Sequence, residues 1–315
     1  MEKDFKDVLI SPNIIREILI AVSGHHNVLL MGPPGAGKTI VASRIPSIMP
    51  EMSVKEKEEN INLFKSIWLY EDADEDTFKI RPFRSPHHTI SYMAMFGKKN
   101  ERPGEIALSR YGVLHMDEAS LFKKAVLESL EYCPEVLMVF STGKCKCGMY
   151  PHKNCTCSED SREKFINAFP QKFLNLSDIW IDFPLPSYQE IQNYVPSSSE
   201  DLKSQVSAVW SIQKKRYEHS DIKFNAEICG EKFYADYMRI FEHNESVYAK
   251  ERALNEGFSV LDSEKTARIS RTIADLKNNP FIQVKDFEEA KDIVKKGNMA
   301  LLSERKEVEV NEQDN

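Results

Sequence analysis

Apolar positions along this chain follow two periods. Short apolar runs at 27–31, 112–116, 136–141 and 179–183 predict buried strands. Helical spacing places Ile14, Ile15, Ile18, Leu19 and Val22 on one face, so a helix is expected there, capped by Ser11 and opened by Pro12. Further helices are expected over 38–48, 52–76 and 121–131, the second ending in an acidic run at 71–76. Beyond residue 199 everything reads helical, over 200–217, 226–243, 246–256, 263–278 and 285–297. The stretch Arg81 to Ser91 holds too much proline for a helix and predicts an ordered loop or short strand. These elements divide the chain into an α/β core over 1–184 and a linker over 185–199 rich in proline and serine. A smaller all-helical region over 200–298 follows, then a charged tail over 299–315 that is expected to fray.

The first strand leads into Gly32-Pro33-Pro34-Gly35-Ala36-Gly37-Lys38-Thr39, which fits G-x-x-x-x-G-K-[ST] and opens a helix with Ile40. Strand, glycine loop and helix N-terminus in that order are the chemistry of a phosphate cradle. The glycines let backbone N–H groups turn inward, Lys38 offers a charge to the β/γ-phosphates, and Thr39 offers a hydroxyl to Mg²⁺. The second strand delivers Asp117 and Glu118 at its C-terminal end, where phosphates lie in a parallel sheet. An Asp there holds the Mg²⁺ shell, and a Glu polarises an attacking water. ATP and Mg²⁺ are therefore the expected ligands.

Composition narrows the partners. The sequence has 42 basic against 49 acidic residues, a net charge of −7, so no global cationic field points to nucleic acid. Its N-terminus lacks a signal-peptide pattern and no run is long enough for a membrane span, so a cytoplasmic protein with no membrane association is expected. Of six cysteines, four fall between Cys145 and Cys157. Cys145-Lys-Cys147 and Cys155-Thr-Cys157, in a loop over 143–158, leave two readings open: a tetrahedral zinc site, or four reduced thiols on a polar loop. His152, between the hooks, is the one other residue there able to ligate.

Two longer strings carry a resemblance. Arg81-Pro-Phe-Arg-Ser-Pro-His-His-Thr-Ile-Ser91 and Arg102-Pro-Gly-Glu-Ile-Ala-Leu-Ser-Arg-Tyr-Gly-Val-Leu-His-Met-Asp-Glu118 resemble the magnesium-chelatase-like branch of the AAA+ ATPases, and its competence-type members in particular. The cysteine hooks resemble that group's Cys-Pro-Cys-Gly element. Lys223-Phe-Asn-Ala-Glu227 and Arg271-Thr-Ile-Ala-Asp-Leu276 resemble two of its C-terminal signatures. The resemblance implies a P-loop NTPase fold, a five-stranded parallel αβα core followed by a helical lid, and assembly into a homo-oligomeric ring, commonly a hexamer. It implies that Arg271 senses the γ-phosphate, and that Arg81, Arg84, His87 and His88 lie near the ring's pore, within reach of a DNA or protein client.

Departures from the pattern matter equally. Competence-type members carry a domain before the ATPase core, where this sequence has only the residues before Ile10. Gly143 stands where the family places an Asn that orients the lytic water. Asn175-Leu176 stands in place of an Asp-Arg pair whose arginine reaches the neighbouring subunit's site. A trans-acting arginine is worth roughly three to five orders of magnitude in turnover. Arg162, Arg110 and Lys172 are the candidates to replace it. Two functions follow: a ring ATPase that remodels DNA or a protein partner, or a nucleotide-gated binding module with impaired hydrolysis. Metal insertion into a porphyrin is a third, weaker reading, since the chelatase motor works with other dedicated subunits and nothing in this sequence identifies them.

Overall fold

The computed structural model describes residues 4–67, 78–98, 102–186, 188–192, 194–229 and 258–302. The predicted strands form β1 (Val28–Met31), β5 (Gly112–Met116), β6 (Val136–Thr142) and β7 (Ile179–Asp182) of one parallel sheet. The fifth strand, β2, is only Phe83–Arg84, inside the proline-rich stretch, and it pairs with Val113 and Leu114 of β5. A short hairpin, β3 (Gly97–Lys98) with β4 (Arg102–Pro103), stands apart. The sheet order is β2-β5-β6-β1-β7. The phosphate-loop strand is thus central, with β6 on one side and β7 on the other. Its residues are buried on both faces, as a sheet covered by helices on both sides requires.

The first helix is Pro12–Gly24, and the Ser11 hydroxyl accepts from the Ile14 N–H at its start as expected. The single helix expected over 38–48 is two pieces, Lys38–Ala42 and Ile45–Ile48. Pro46 has no N–H to continue the first piece, so the chain restarts with proline in the first turn. The helix expected over 52–76 is described as Val54–Ser66, opened by a reciprocal Ser53/Glu56 capping box. The acidic run at 71–76 lies outside the described residues. Over 121–131 the structure has a 3₁₀ turn at Ala119–Leu121 and a short helix at Lys124–Glu128. Two helices with no strong apolar period, Glu159–Asn167 and Gln171–Leu176, connect the cysteine loop to β7.

The C-terminal helices Ser199–Arg216, Val260–Leu276 and Val284–Leu302 match the expected 200–217, 263–278 and 285–297 within a few residues. Those expected over 226–243 and 246–256 lie largely or wholly outside the described residues, as does most of the tail. Besides a small cluster of its own around Tyr217, Ile228 and Phe287, the helical region packs directly onto the α/β core. Leu202, Val206, Ile269, Ile273, Ile293 and Val294 join Ile18, Val28 and Ile181 in one apolar cluster. A buried polar seam reinforces it: His26 Nδ1 lies 2.9 Å from Asp178 Oδ2, its Nε2 lies 2.9 Å from Thr272 Oγ1, and Arg268 donates to Asp178 Oδ1 at 2.8 Å. The linker over 185–199 contains a helical turn at Tyr188–Gln192.

Candidate nucleotide and metal sites

The phosphate loop is anchored by the sheet at its start. Gly32 N–H donates to Thr142 O of β6 at 3.1 Å, and a side chain at Gly32 would collide with Phe183 O. Gly35 and Gly37 have φ of 80° and 93°, where a Cβ would be strained, and both border open space. Lys38 is buried, and its ammonium donates to Gly32 O at 2.7 Å and Pro33 O at 2.9 Å. Burial lowers its pKa, while Glu118 and Asp117 partly offset that. Ala36 is buried against the main apolar cluster, and Ile40 is 48% exposed.

The phosphate loop and the end of β5 meet. Thr39 donates its hydroxyl to Asp117 Oδ2 at 2.9 Å, across 78 positions of sequence. Asp117 Oδ1 accepts from the Ser141 hydroxyl and from Glu118 N–H. Burial acts to raise the Asp117 pKa, but the hydrogen bond from Ser141, nearby His115 and the hydroxyl of Thr39 together hold it below its usual value. Glu118 is exposed and takes left-handed backbone angles, φ 52°, which turn the chain sharply off the strand. A hydroxyl and a carboxylate are hard oxygen donors, few enough to leave positions for phosphate oxygens and water, and they fit Mg²⁺.

Sequence reasoning missed the residues behind Asp117. His115 is buried in β5, with Nε2 3.3 Å from Ser141 Oγ and Nδ1 3.4 Å from Ser85 Oγ. Burial pushes its pKa down to about 4, so the ring is neutral. The available signal was a histidine inside an otherwise apolar strand. A cavity of about 310 Å³ was likewise not anticipated. Leu9, Ile10, Ile14, Pro184 and Tyr194 line it, and it reaches the phosphate loop at Ala36. A larger cavity of about 610 Å³ adjoins it through Ser11, Ile14 and Pro184 but does not touch the loop.

Arg271, expected to sense the γ-phosphate, holds its donors inside the helical region. It is 1% exposed, and its guanidinium donates to Asp275 at 2.8 and 3.1 Å, to Pro280 O at 2.8 Å and to Asn279 O at 2.5 Å. Those bonds all lie within the helical region, so its donors are not presented to a nucleotide. Arg81 is likewise buried, donating to Pro50 O, Tyr111 O and Glu51 O, which removes it from any client-facing surface. Arg84 is half-buried and paired with Glu105. His87 is exposed, and its ring lies 4.1 Å from that of half-buried His88.

The departures have structural correlates. A Cβ on Gly143 would sit 3.0 Å from Gly148 Cα, so the loop is closed against a larger residue at that position. Asn175 accepts from Gln171, and Leu176 packs on the apolar cluster below β6. The three candidate replacement cations all have partners in this chain. Arg110 pairs with Glu135 and Glu59, Lys172 with Glu131, and Arg162 donates to Cys157 O while lying over the Tyr150 ring.

The cysteine loop brings its four thiols together. Cys145, Cys147, Cys155 and Cys157 have sulfurs within 4.8 Å of one another, and three of the separations are 3.4, 3.6 and 3.8 Å. A tetrahedron with Zn–S bonds of about 2.3 Å places its sulfurs about 3.8 Å apart, so the donor set fits zinc. His152 instead turns its Nδ1 to the N–H of Asn154.

Family profiles and known proteins match this chain. The family profile "Magnesium chelatase, subunit ChlI" matches residues 4–133, and "Magnesium chelatase, subunit ChlI C-terminal" matches residues 196–293. The chain is 29% identical over 301 residues to the competence protein ComM of Haemophilus influenzae, covering 89% of this chain and 57% of that protein. It is 28% identical over 311 residues to the uncharacterized protein YifB of Escherichia coli, covering 92% and 60% respectively. The chain therefore spans about three fifths of the length of the curated relatives it matches. With the two profiles covering most of its length and the phosphate-loop geometry in place, this chain belongs to the magnesium-chelatase-like family, alongside proteins of the ComM and YifB type.

Proposed function

We propose that the chain binds Mg-ATP and hydrolyses it as one subunit of a homo-oligomeric ring that remodels DNA or a protein partner. The observation that carries this reading is the 2.9 Å contact between Thr39 and Asp117, which joins the phosphate loop to the acidic strand end. Inward N–H groups of the loop and the Lys38 ammonium take the β- and γ-phosphates, with Lys38 turning from the loop carbonyls it now holds. Thr39 and Asp117 hold Mg²⁺, which when bound supplies charge neutralisation at the phosphates. Glu118 accepts a proton from the water that attacks the γ-phosphorus, and the bond to the β–γ bridging oxygen breaks. The apolar cavity at Ala36 has the position and chemistry for the base. Zinc on the four cysteines is part of this reading and serves a structural role, since all four ligands come from the protein. Among the described residues no helix is long and apolar enough to cross a membrane.

A second reading is favoured by Gly143 and by Asn175-Leu176: a nucleotide-gated module that binds ATP and turns it over negligibly. Steady-state ATPase activity against protein concentration, for wild type and Glu118→Gln, with and without single-stranded DNA, separates the two. Turnover that rises with concentration and vanishes in the variant supports the ring enzyme, and stimulation by DNA identifies the client class. Tight ATP binding with turnover no higher than the variant supports the module. Absence of ATP binding overturns both.

A further inference from the structure

The residues behind Asp117 form a single directed chain of hydrogen bonds. Ser141 has one proton, and it donates that proton to Asp117 Oδ1. Its oxygen must then accept from His115 Nε2, 3.3 Å away, which fixes the neutral ring with its proton on Nε2. His115 Nδ1 is left as an acceptor and faces the Ser85 hydroxyl at 3.4 Å. Every donor therefore points the same way, from Ser85 through His115 and Ser141 to the carboxylate, and hydrogen bonds in series polarise one another. The other carboxylate oxygen receives Thr39.

The sheet holds this chain in place. Pairing of β5 with β6 sets His115 opposite Val139 and Met116 opposite Phe140, which brings Ser141 alongside Asp117 one step further on. Pairing of β2 with β5 sets Arg84 opposite Leu114 and delivers Ser85 to the other edge of the imidazole, while Phe83 stacks on the ring with centroids 5.9 Å apart. His115 and Ser141 are fully buried, whereas Ser85 is exposed at the start of the loop that carries His87 and His88.

We infer that Ser141 and His115 are positioning residues that fix the Asp117 carboxylate towards Thr39 for Mg²⁺, and that they tie its orientation to the loop beginning at Ser85. This rests on the assignment of Asp117 to the Mg²⁺ shell. Partners that orient a ligating carboxylate typically contribute ten- to a hundredfold to metal affinity. The relay also gives a physical route from the loop to the nucleotide site, because a shift at Ser85 changes what the imidazole and then Ser141 can hold.

The test is a Mg²⁺ titration of fluorescent-ATP binding to the whole chain, alongside binding in EDTA. Ser141→Ala is expected to raise the Mg²⁺ midpoint by about tenfold or more while affinity in EDTA stays at the wild-type value. A merely structural role would move both. Ser85→Ala, at an exposed position that leaves the core untouched, is expected to shift the midpoint the same way by less. The double variant is expected to shift no further than Ser141→Ala, as members of one network do. An unchanged midpoint in Ser141→Ala, with Asp117→Asn raising it, overturns the relay and leaves the metal assignment standing. An unchanged midpoint in Asp117→Asn overturns both. A wild-type midpoint in Ser85→Ala overturns the link to the loop.

Discussion

Gly148 of the cysteine loop rests against Pro34 of the phosphate loop: a Cβ on Gly148 would lie 3.3 Å from Pro34 Cδ. Gly148 takes a φ of 75°, which suits the turn that folds the loop back after Cys145 and Cys147. On its other side its Cα closes on Gly143, directly after β6, whose Thr142 carbonyl holds Gly32. The cysteine cluster and the phosphate cradle are thus in contact through two glycines. Elemental analysis is expected to find one zinc per chain. Stripping it with a chelator is expected to loosen the support for Pro34 and cost about 1 kcal/mol of ATP binding, roughly fivefold in Kd. Unchanged ATP affinity in zinc-free, folded protein would separate the two sites.

Arg271 and Arg81 are expected to act on stability. Removing the Arg271 side chain leaves Asp275 buried with only Arg216 and Asn225 to hold it, and breaking a buried ion pair costs about 3 kcal/mol. Arg271→Ala is therefore predicted to lower the unfolding midpoint strongly, with ATP affinity at permissive temperature near wild type. Arg81→Ala is predicted to behave alike, because it orphans three backbone carbonyls and uncovers Trp210, over which the guanidinium lies at 5.0 Å. Thermal melts paired with nucleotide titrations decide this. A selective loss of ATP affinity in Arg271→Ala, with no loss of stability, would restore it to the nucleotide site.

Lys38→Ala is predicted to abolish ATP binding without unfolding the chain. The Lys38 ammonium bonds only to two loop carbonyls, and Ala at this position leaves them facing the open cradle. The phosphates, in contrast, lose their cationic partner in a partly dry site, where charge-assisted hydrogen bonds are strongest. Micromolar affinity retained in the variant would show that the nucleotide binds elsewhere.

What could be read from the chain was whatever chemistry is local. The phosphate loop and Asp117-Glu118 each sit within a few residues of an apolar run, so both the elements and the site they build were legible. The helix Ser199–Arg216 was placed within a residue of its ends for the same reason. Ser141 and His115 were not legible as a pair, because only the β5–β6 register makes them neighbours, and β2 hides its two residues among prolines. The partners of Arg271 were not legible, because a motif string records sequence and not helical phase. The neighbouring Arg268 turns towards Asp178 while Arg271 turns towards Asp275 and the 279–280 carbonyls. The helical region's fusion with the core was invisible for a similar reason, since the His26, Asp178 and Thr272 seam joins three distant segments.

Acid is predicted to destabilise the fold well before carboxylates titrate. His25 is buried and stacked on Phe224 at 4.3 Å; burial above all, then the Arg81 charge, pushes its pKa from 6.5 down to about 3. His26 is also lowered, because burial outweighs its hydrogen bond to Asp178. His25 stays neutral in the folded chain down to about pH 3, and His26 also holds a proton less readily folded than unfolded, so below pH 6.5 the unfolded state binds more protons and stability falls with pH. Their contribution is complete above pH 6.5 and is lost as pH falls towards the folded values, by up to about 1.4 kcal/mol per pH unit for each histidine. Asp178 adds to this only later. Burial acts to raise its pKa, but Arg268 and His26 hold it at about 2, so its contribution is lost as pH falls from 3.8 towards 2. Urea midpoints measured from pH 7 to pH 4 are expected to fall steadily. His25→Asn suits the left-handed backbone at that residue, φ 59°, and is expected to flatten the slope by as much as one proton while lowering stability at pH 7 through the lost ring contact. Identical slopes in the variant and wild type would mean that His25 is already protonated in the folded chain.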